Sequence, residues 1–223
     1  MRALLAPFVL ILSCLASAGP AGPWLRDDGA VFVSFGQNLA LSEGARLPVH
    51  YDPFLYAEWG MTERLTLSLN LYSGDAGNEH AAEFFAIAPL ALPGDRGVAS
   101  LSFGAALREI DGTGQQHLVG GGLAWGKGFD QGWIAIEARL MSRLDAPRTE
   151  GKLDLTAGRH FNDGWSGMVQ LQAGTGHAGD AYAKIAPTAI WHATERFDMT
   201  FGLVQGLTGD KGTGLTLGGW LRF

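Results

Sequence analysis

Polar and apolar residues alternate along most of this chain with a period of two, and the alternation is kept to the last residue. At the C-terminus Leu215, Leu217, Leu221 and Phe223 share one parity, while Thr216, Trp220 and Arg222 share the other. Successive side chains of a strand point to opposite faces, so this ending sends aliphatic and aromatic groups one way and polar groups the other. After the first twenty residues, no stretch approaches the ~20 continuous apolar residues of a membrane-spanning helix. A chain of this kind is either a soluble β protein or one that crosses a bilayer as a closed barrel, because lipid leaves no unpaired backbone group satisfied.

The same parity recurs upstream. Leu65, Leu67, Leu69 and Leu71 oppose Thr66, Ser68, Asn70 and Tyr72; Ala99, Leu101, Phe103, Ala105 and Leu107 oppose Ser100, Ser102, Gly104 and Arg108. Ile134, Ile136, Ala138 and Leu140 oppose Glu137, Arg139 and Arg143. Leu153, Leu155, Ala157 and Phe161 oppose Lys152, Asp154, Thr156 and His160. Val169, Leu171 and Ala173 oppose Gln170 and Gln172, and Phe197, Met199, Phe201 and Leu203 oppose Asp198, Thr200 and Gly202. Weaker segments cover 30–39, 53–61, 82–91, 116–126 and 181–192. With the C-terminal strand this makes twelve candidates, each near the ~9 to 11 residues that a tilted transmembrane strand needs.

A soluble β-sandwich or lipocalin-like barrel also alternates. The connections favour the membrane alternative. One set is short and flanked by large aromatics: Trp59 before Thr62-Glu63-Arg64, Trp125 and Trp133 around Gly128-Phe129-Asp130, Phe161 and Trp165 around Asn162-Asp163-Gly164, and Trp191 with Phe197 around Thr194-Glu195-Arg196. Five of the seven tryptophans sit there, as an interfacial girdle would place them. The turn Pro93-Gly94-Asp95-Arg96 lies at the same end without aromatics. The other connections, 40–50, 73–81, 109–116, 144–151, 174–181 and 207–213, are polar and rich in glycine, and are expected to be outer loops.

Both termini carry further signals. Arg2, the apolar run Leu4 to Leu15 and the small residues Ala16-Ser17-Ala18 read as a cleaved signal peptide over 1–18. Residues 19–28 are then a periplasmic lead-in and 29–223 the barrel. A rival reading takes Ile11-Leu12-Ser13-Cys14 as a lipoprotein signal with Cys14 lipidated, although Leu12 suits that motif poorly. Cys14 is the only cysteine, so under the first reading the mature chain has neither disulfides nor thiolate chemistry.

The aromatic last residue closing an alternating strand resembles the C-terminal signature of Gram-negative outer-membrane β-barrels. That resemblance implies an outer-membrane location and makes Phe223 and Leu221 a signal read by the barrel assembly machinery. The turns Trp59-Gly-Met-Thr-Glu-Arg and Trp191-His-Ala-Thr-Glu-Arg are similar to those of small outer-membrane transporter-like barrels, including proteins linked to phenol-degradation operons. The likeness covers turns and strand pattern and contains no site motif. The partners it implies are outer-membrane lipid, lipopolysaccharide and a small polar solute.

Twelve strands ~4.8 Å apart, tilted near 40°, enclose a backbone cylinder about 24 Å across. The parity rule assigns Glu58, Arg108, Glu137, Arg139, Lys152, Asp154, Lys184, Asp198 and Arg222 to its lumen. Mixed charges there either brace the wall in pairs or form an eyelet whose field acts on small solutes. Acidic and basic groups nearly balance, so at most weak charge selectivity is expected. Modest loops argue against a large plug.

Other function classes find less support. Net charge is −6 with scattered basic residues, which excludes a nucleic-acid footprint. Gly120-Gly121-Gly122 lacks the lysine, hydroxyl residue and helix of a phosphate loop, and is expected to relieve crowding inside a strand. An outer-membrane hydrolase would need a serine beside an oriented histidine. His117 near Ser100 or Ser102 is the nearest approach to one, while His160 and His192 fall beside short turns and His50 lies in an outer loop. His80 with Glu79 and Glu83, and His177 with Asp180, lack metal-ligand spacing. The expectation is therefore an antiparallel up-and-down transmembrane barrel, not an enzyme and without a cofactor. It passes small polar solutes, or is a non-conducting barrel that uses its loops for surface binding.

Overall fold

The structure, a computed structural model, describes residues 22–41, 52–74, 78–176, 179–209 and 211–223. The expected signal peptide and the Cys14 alternative fall on residues outside these. Twelve strands follow in order: β1 (Val31–Ala40), β2 (Asp52–Thr62), β3 (Leu65–Gly74), β4 (Glu79–Leu90), β5 (Val98–Ile110), β6 (Gly114–Phe129), β7 (Gly132–Arg143), β8 (Thr149–Asn162), β9 (Trp165–Thr175), β10 (Ala181–His192), β11 (Phe197–Thr208) and β12 (Thr213–Arg222). Each pairs antiparallel with its sequence neighbours, and β1 pairs with β12, so the sheet closes on itself. The seam runs from Phe32↔Arg222 to Ala40↔Gly214. Beyond it, the Phe223 N–H donates to the Val31 carbonyl at 2.9 Å and the Val31 N–H donates to the Phe223 carbonyl at 3.1 Å. Closure removes every sheet edge, which is the condition for a sheet to sit in lipid.

The two faces differ as the alternation predicts. Leu69, Leu101, Phe103, Leu123, Ile136, Leu140, Leu155 and Phe201 project outward and are exposed, whereas Thr66, Ser68, Ser100, Thr200 and Asp198 point inward and are buried. A soluble sandwich would bury the aliphatic set; here that set forms the exterior, which fits hydrocarbon and not water. No helix among the described residues is long and apolar enough to cross a membrane.

Turn chemistry distinguishes the ends of the cylinder. The short-turn end carries 63–64, 91–97, 130–131, 163–164 and 193–196 together with Phe223. The expected loop end differs from the sequence reading in one respect: strands continue into the polar segments, leaving only 75–78, 111–113, 144–148, 176–180 and 209–212 beside the longer 41–51. Polar residues such as Glu79, Gln116 and Glu150 still pair in the ladder there, since alternation is not needed for backbone pairing above the lipid. The tightest of these turns relies on Gly112 and Gly114, with φ of 77° and 76°, a conformation open to glycine at little cost.

The aromatic girdle needs one correction. Trp59, Trp165, Trp191, Phe129 and Phe161 are exposed at the short-turn end, and the Trp165 and Trp191 rings stack with centroids 6.4 Å apart. Trp133 does not join them. It points into the lumen and is only 5% exposed, its ring against Gly158 and 5.1 Å from that of His160. Parity decides this: Ile134 and Ile136 face out, so their odd-numbered neighbour faces in. Proximity to a turn misassigned it.

If the exterior meets lipid, Phe103→Arg near the middle of β5 should destabilise the barrel by about 2–4 kcal/mol, whereas Glu63→Arg at a turn should cost about 0–1 kcal/mol. Urea unfolding in lipid vesicles would measure both. Equal costs would contradict the assigned membrane face.

Candidate functional site: the lumen

Nothing in the alternation indicates where the residues before β1 lie. Residues 22–28, within the segment expected as a lead-in, turn into the short-turn half of the lumen. Pro23 is fully buried, and Trp24 packs against a cluster of Phe32, Trp133, Ile190 and Trp220. The Arg26 guanidinium forms an ion pair with Glu58 and lies 4.3 Å above the centre of the Phe32 ring, while its backbone N–H donates to Thr66 Oγ1 at 2.9 Å. Two lumen-facing glycines make the room. A Cβ on Gly126 would come within 2.6 Å of both Pro23 and Trp24, and one on Gly60 would overlap the Arg26 and Asp27 carbonyls. The Gly29 N–H donates to the Gly60 carbonyl at 2.8 Å and that of Gly60 donates to Ala30 at 2.9 Å, so the segment is anchored to β2.

This segment divides the interior. Below it, at the short-turn end, a mouth of about 1340 Å³ is bordered by Arg26, Asp27, Asp130, His160, His192 and Arg222. Above it, at mid-lumen, a cavity of about 230 Å³ is bordered by Gly22, Tyr56, Asn70, Glu137, Arg139, Lys152 and Asp154. The sequence signal for the segment was the run Gly22-Pro23-Trp24-Leu25-Arg26, aromatic and basic ahead of the first strand, with glycine at inward positions 60 and 126.

The nine residues assigned to the lumen separate into three levels. At the loop end Arg108 makes a bidentate pair with Glu150 at 2.8 Å for each bond, and its Nε lies 3.3 Å from Glu79. Strand β5 is thereby tied to β8 across the lumen, with Tyr72 donating to Glu79 at 3.2 Å. At mid-level Arg139 donates to Glu83 at 3.1 Å and stands 4.3 Å above the Phe85 ring; Lys152 and Asp154 are 2.8 Å apart. Glu137 lies beside them on the cavity wall. Lys184 is buried, with its Nζ 4.6 Å from the Tyr182 ring centre. At the short-turn end Arg222 pairs with Asp198, and Glu58 is taken by Arg26 and by Tyr56 Oη at 2.6 Å.

Apolar residues share the interior, which the parity reading did not anticipate. Phe85, Ala106, Leu118 and Met141 form a buried cluster against β4 to β7. Gly120, within the triple glycine, lies under Met141, whose sulfur would stand 2.6 Å from an added Cβ. Missing side chains there admit a bulky neighbour, as the sequence suggested for this run. Outside the spanning strands, two hydrogen bonds from Arg143, at 3.0 and 2.6 Å, hold the Asp145 carboxyl below its ordinary range and clasp the 144–148 turn.

One hydrogen-bonded chain resembles hydrolytic machinery. Asp198 Oδ1 is 2.8 Å from His192 Nδ1, His192 Nε2 is 2.8 Å from Ser166 Oγ, and Ser166 Oγ is 2.9 Å from His160 Nδ1. The order and spacing match those used for acyl transfer. Ser166, however, is 1% exposed and its hydroxyl is held between two imidazoles, leaving it no face open to a substrate carbonyl. The chain ties β8, β9, β10 and β11 together. His117 is instead exposed in β6, opposite Leu107 and away from the mid-strand serines. His50 and His177 lie outside the described residues, and no group of three or more potential metal ligands occurs among the described ones.

No protein-family model matches the chain, and no curated protein matches it. Solved structures do. The chain is similar to the KdgM porin in complex with disordered oligogalacturonate, with a TM-score of 0.62 and 11% identity over 87% of this chain and 99% of that one. It is similar to an outer membrane channel from Pseudomonas putida F1, with a TM-score of 0.59 and 16% identity over 90% and 97% of the two chains. For the NanC porin the TM-score is 0.58, with 12% identity over 86% and 98%. What is shared is the fold. At such identities, no side chain of the lumen is carried over.

Removing Asp198 strips Arg222 and His192 of their partner at once. Asp198→Ala should cost about 3 kcal/mol in urea unfolding, and adding Arg222→Met should recover part of that loss, because an unpaired buried charge is worse than none. A double variant no more stable than the single one would count against the brace.

Proposed function

We propose that this protein is a narrow outer-membrane channel for passive or facilitated passage of small polar solutes. The short turns and both termini of the barrel face the periplasm, and residues 22–28 form its internal constriction. The observation that carries this reading is a polar, partly open interior inside an apolar cylinder: wall residues such as Ser68, Ser100, Ser102 and Asn70 border the mid-lumen cavity, while the outer face is aliphatic. Hydrophilic walls lower the barrier for a solute that sheds part of its hydration, and paired charges limit selectivity for either sign. The porin and channel folds similar to this one support the same reading.

Leu221 and Phe223 are proposed to serve as the assembly signal, with lipid and lipopolysaccharide as the surroundings of the outer face. Phe223 is exposed while its backbone holds the seam, so its ring is available for recognition without disturbing closure. Phe223→Ser should reduce the amount of protein reaching the outer membrane in a cell-fractionation assay. Unchanged levels would remove this role.

The buried Pro23 and Trp24 favour a second reading, a barrel whose lumen is normally blocked. Planar-bilayer recordings separate the two. The wild type is expected to give small conductance steps, and deletion of 22–28 should enlarge them severalfold, because the segment narrows the short-turn half. Silence from the wild type with steps from the deletion would indicate a blocked channel. Silence from both would exclude passage.

A further inference from the structure

The centre of the lumen breaks a rule that the rest of the sheet obeys. Glu137 of β7 lies directly opposite Asp154 of β8, and on the adjoining rung Arg139 lies directly opposite Lys152. Like charges placed opposite each other across a strand pair repel, and such conflicts concentrate where a site serves something other than stability. Swapping two residues, Lys152 and Asp154 on β8, would have paired every charge with its opposite.

Neighbouring groups compensate only in part. Lys152 turns to Asp154 Oδ2 at 2.8 Å, and Arg139 reaches across to Glu83 at 3.1 Å. Asp154 Oδ1 is buried with no hydrogen-bond partner, and no hydrogen bond or ion pair from the described residues engages Glu137, whose side chain borders the cavity. Two acceptors therefore lack a donor on one rung. On the other, Lys152 and Arg139 retain unused N–H groups and remain partly exposed to the same cavity.

We infer that the mid-lumen cavity is a binding site for a small zwitterion, a solute of amino-acid type whose ammonium group sits between Glu137 and Asp154 and whose carboxylate sits on Arg139 and Lys152. The inference rests on the channel reading above and names the solute class. Residues two apart along a strand are separated by ~6.8 Å, a span that converging side chains shorten, so opposite charges a few ångströms apart meet both rungs. The volume agrees: a cavity of about 230 Å³ leaves room for an amino acid with a small side chain. Ile87 on the cavity wall offers that side chain an apolar surface. A zwitterion is favoured over a lone cation or anion because each alone would leave one like-charge rung unrelieved.

Calorimetric titration of the purified protein with L-alanine, isopropylamine and propionate tests this, with glycerol permeation into proteoliposomes as a separate measure of passage. L-alanine should bind saturably and about tenfold or more tightly than either singly charged analogue. Glu137→Gln should weaken L-alanine binding by about tenfold, the scale of one charged hydrogen bond. A heat-dependent gel-mobility shift would verify that the variant is folded, and Asp154→Asn supplies a second variant with the same expectation. Folded wild type that binds no L-alanine overturns the proposal, and so does binding that neither substitution weakens. Glycerol permeation without L-alanine binding would leave the channel standing and remove the site. Binding without permeation would do the reverse.

Discussion

The seam between β1 and β12 is the interaction on which the rest depends. In hydrocarbon an unpaired backbone group costs several kcal/mol, so a sheet of this length is viable only when its last strand meets its first. The ladder from Phe32↔Arg222 to Ala40↔Gly214, extended by the reciprocal hydrogen bonds of Val31 and Phe223, supplies that closure. Once the sheet is a cylinder, period-two alternation acquires meaning: one parity meets lipid and the other meets a confined interior. Leu217 and Trp220, three residues apart on β12, end in opposite environments for this reason alone.

Confinement then governs the interior. Buried charges are tolerated where partners and extra hydrogen bonds offset desolvation, and most of those here meet that condition. Arg108 links β5 to β8 with two bonds to Glu150, Arg222 and His192 share Asp198, and Glu58 is shared by Arg26 and Tyr56. These pairs cross the lumen or connect neighbouring staves, so they stiffen the wall and narrow the passage together. The N-terminal segment extends the same logic, with a guanidinium and an indole narrowing the short-turn half, Gly60 leaving space for its backbone and Gly126 for the Pro23 and Trp24 side chains. The mid-level rungs of Glu137, Asp154, Arg139 and Lys152 stand apart because their best pairings were forgone and a cavity lies beside them.

Alternation is a local property, and it was legible. All twelve strands could be read from parity, since each strand needs only its own residues to declare two faces. The girdle reading of Trp133 failed where a regional rule, aromatics near turns, was set above the local one. Loop lengths were overestimated because polar residues end the lipid-facing pattern without ending backbone pairing. The Ser166–His192 contact went unnoticed because Ser166 and His192 are 26 residues apart and meet only through the β9–β10 register.

By itself the amino-acid sequence determined an all-β, antiparallel, membrane-facing cylinder, because a side-chain period of two leaves a chain without long apolar runs no other way to span lipid. Tertiary structure alone decided which lumen groups meet. Arg139 finds Glu83 at a separation of 56 residues, and Arg108 finds Glu150 at 42, because barrel curvature brings staves together that sequence keeps apart. The inward turn of residues 22–28 was likewise decided there, by space that the missing side chains of Gly60 on β2 and Gly126 on β6 leave inside the barrel.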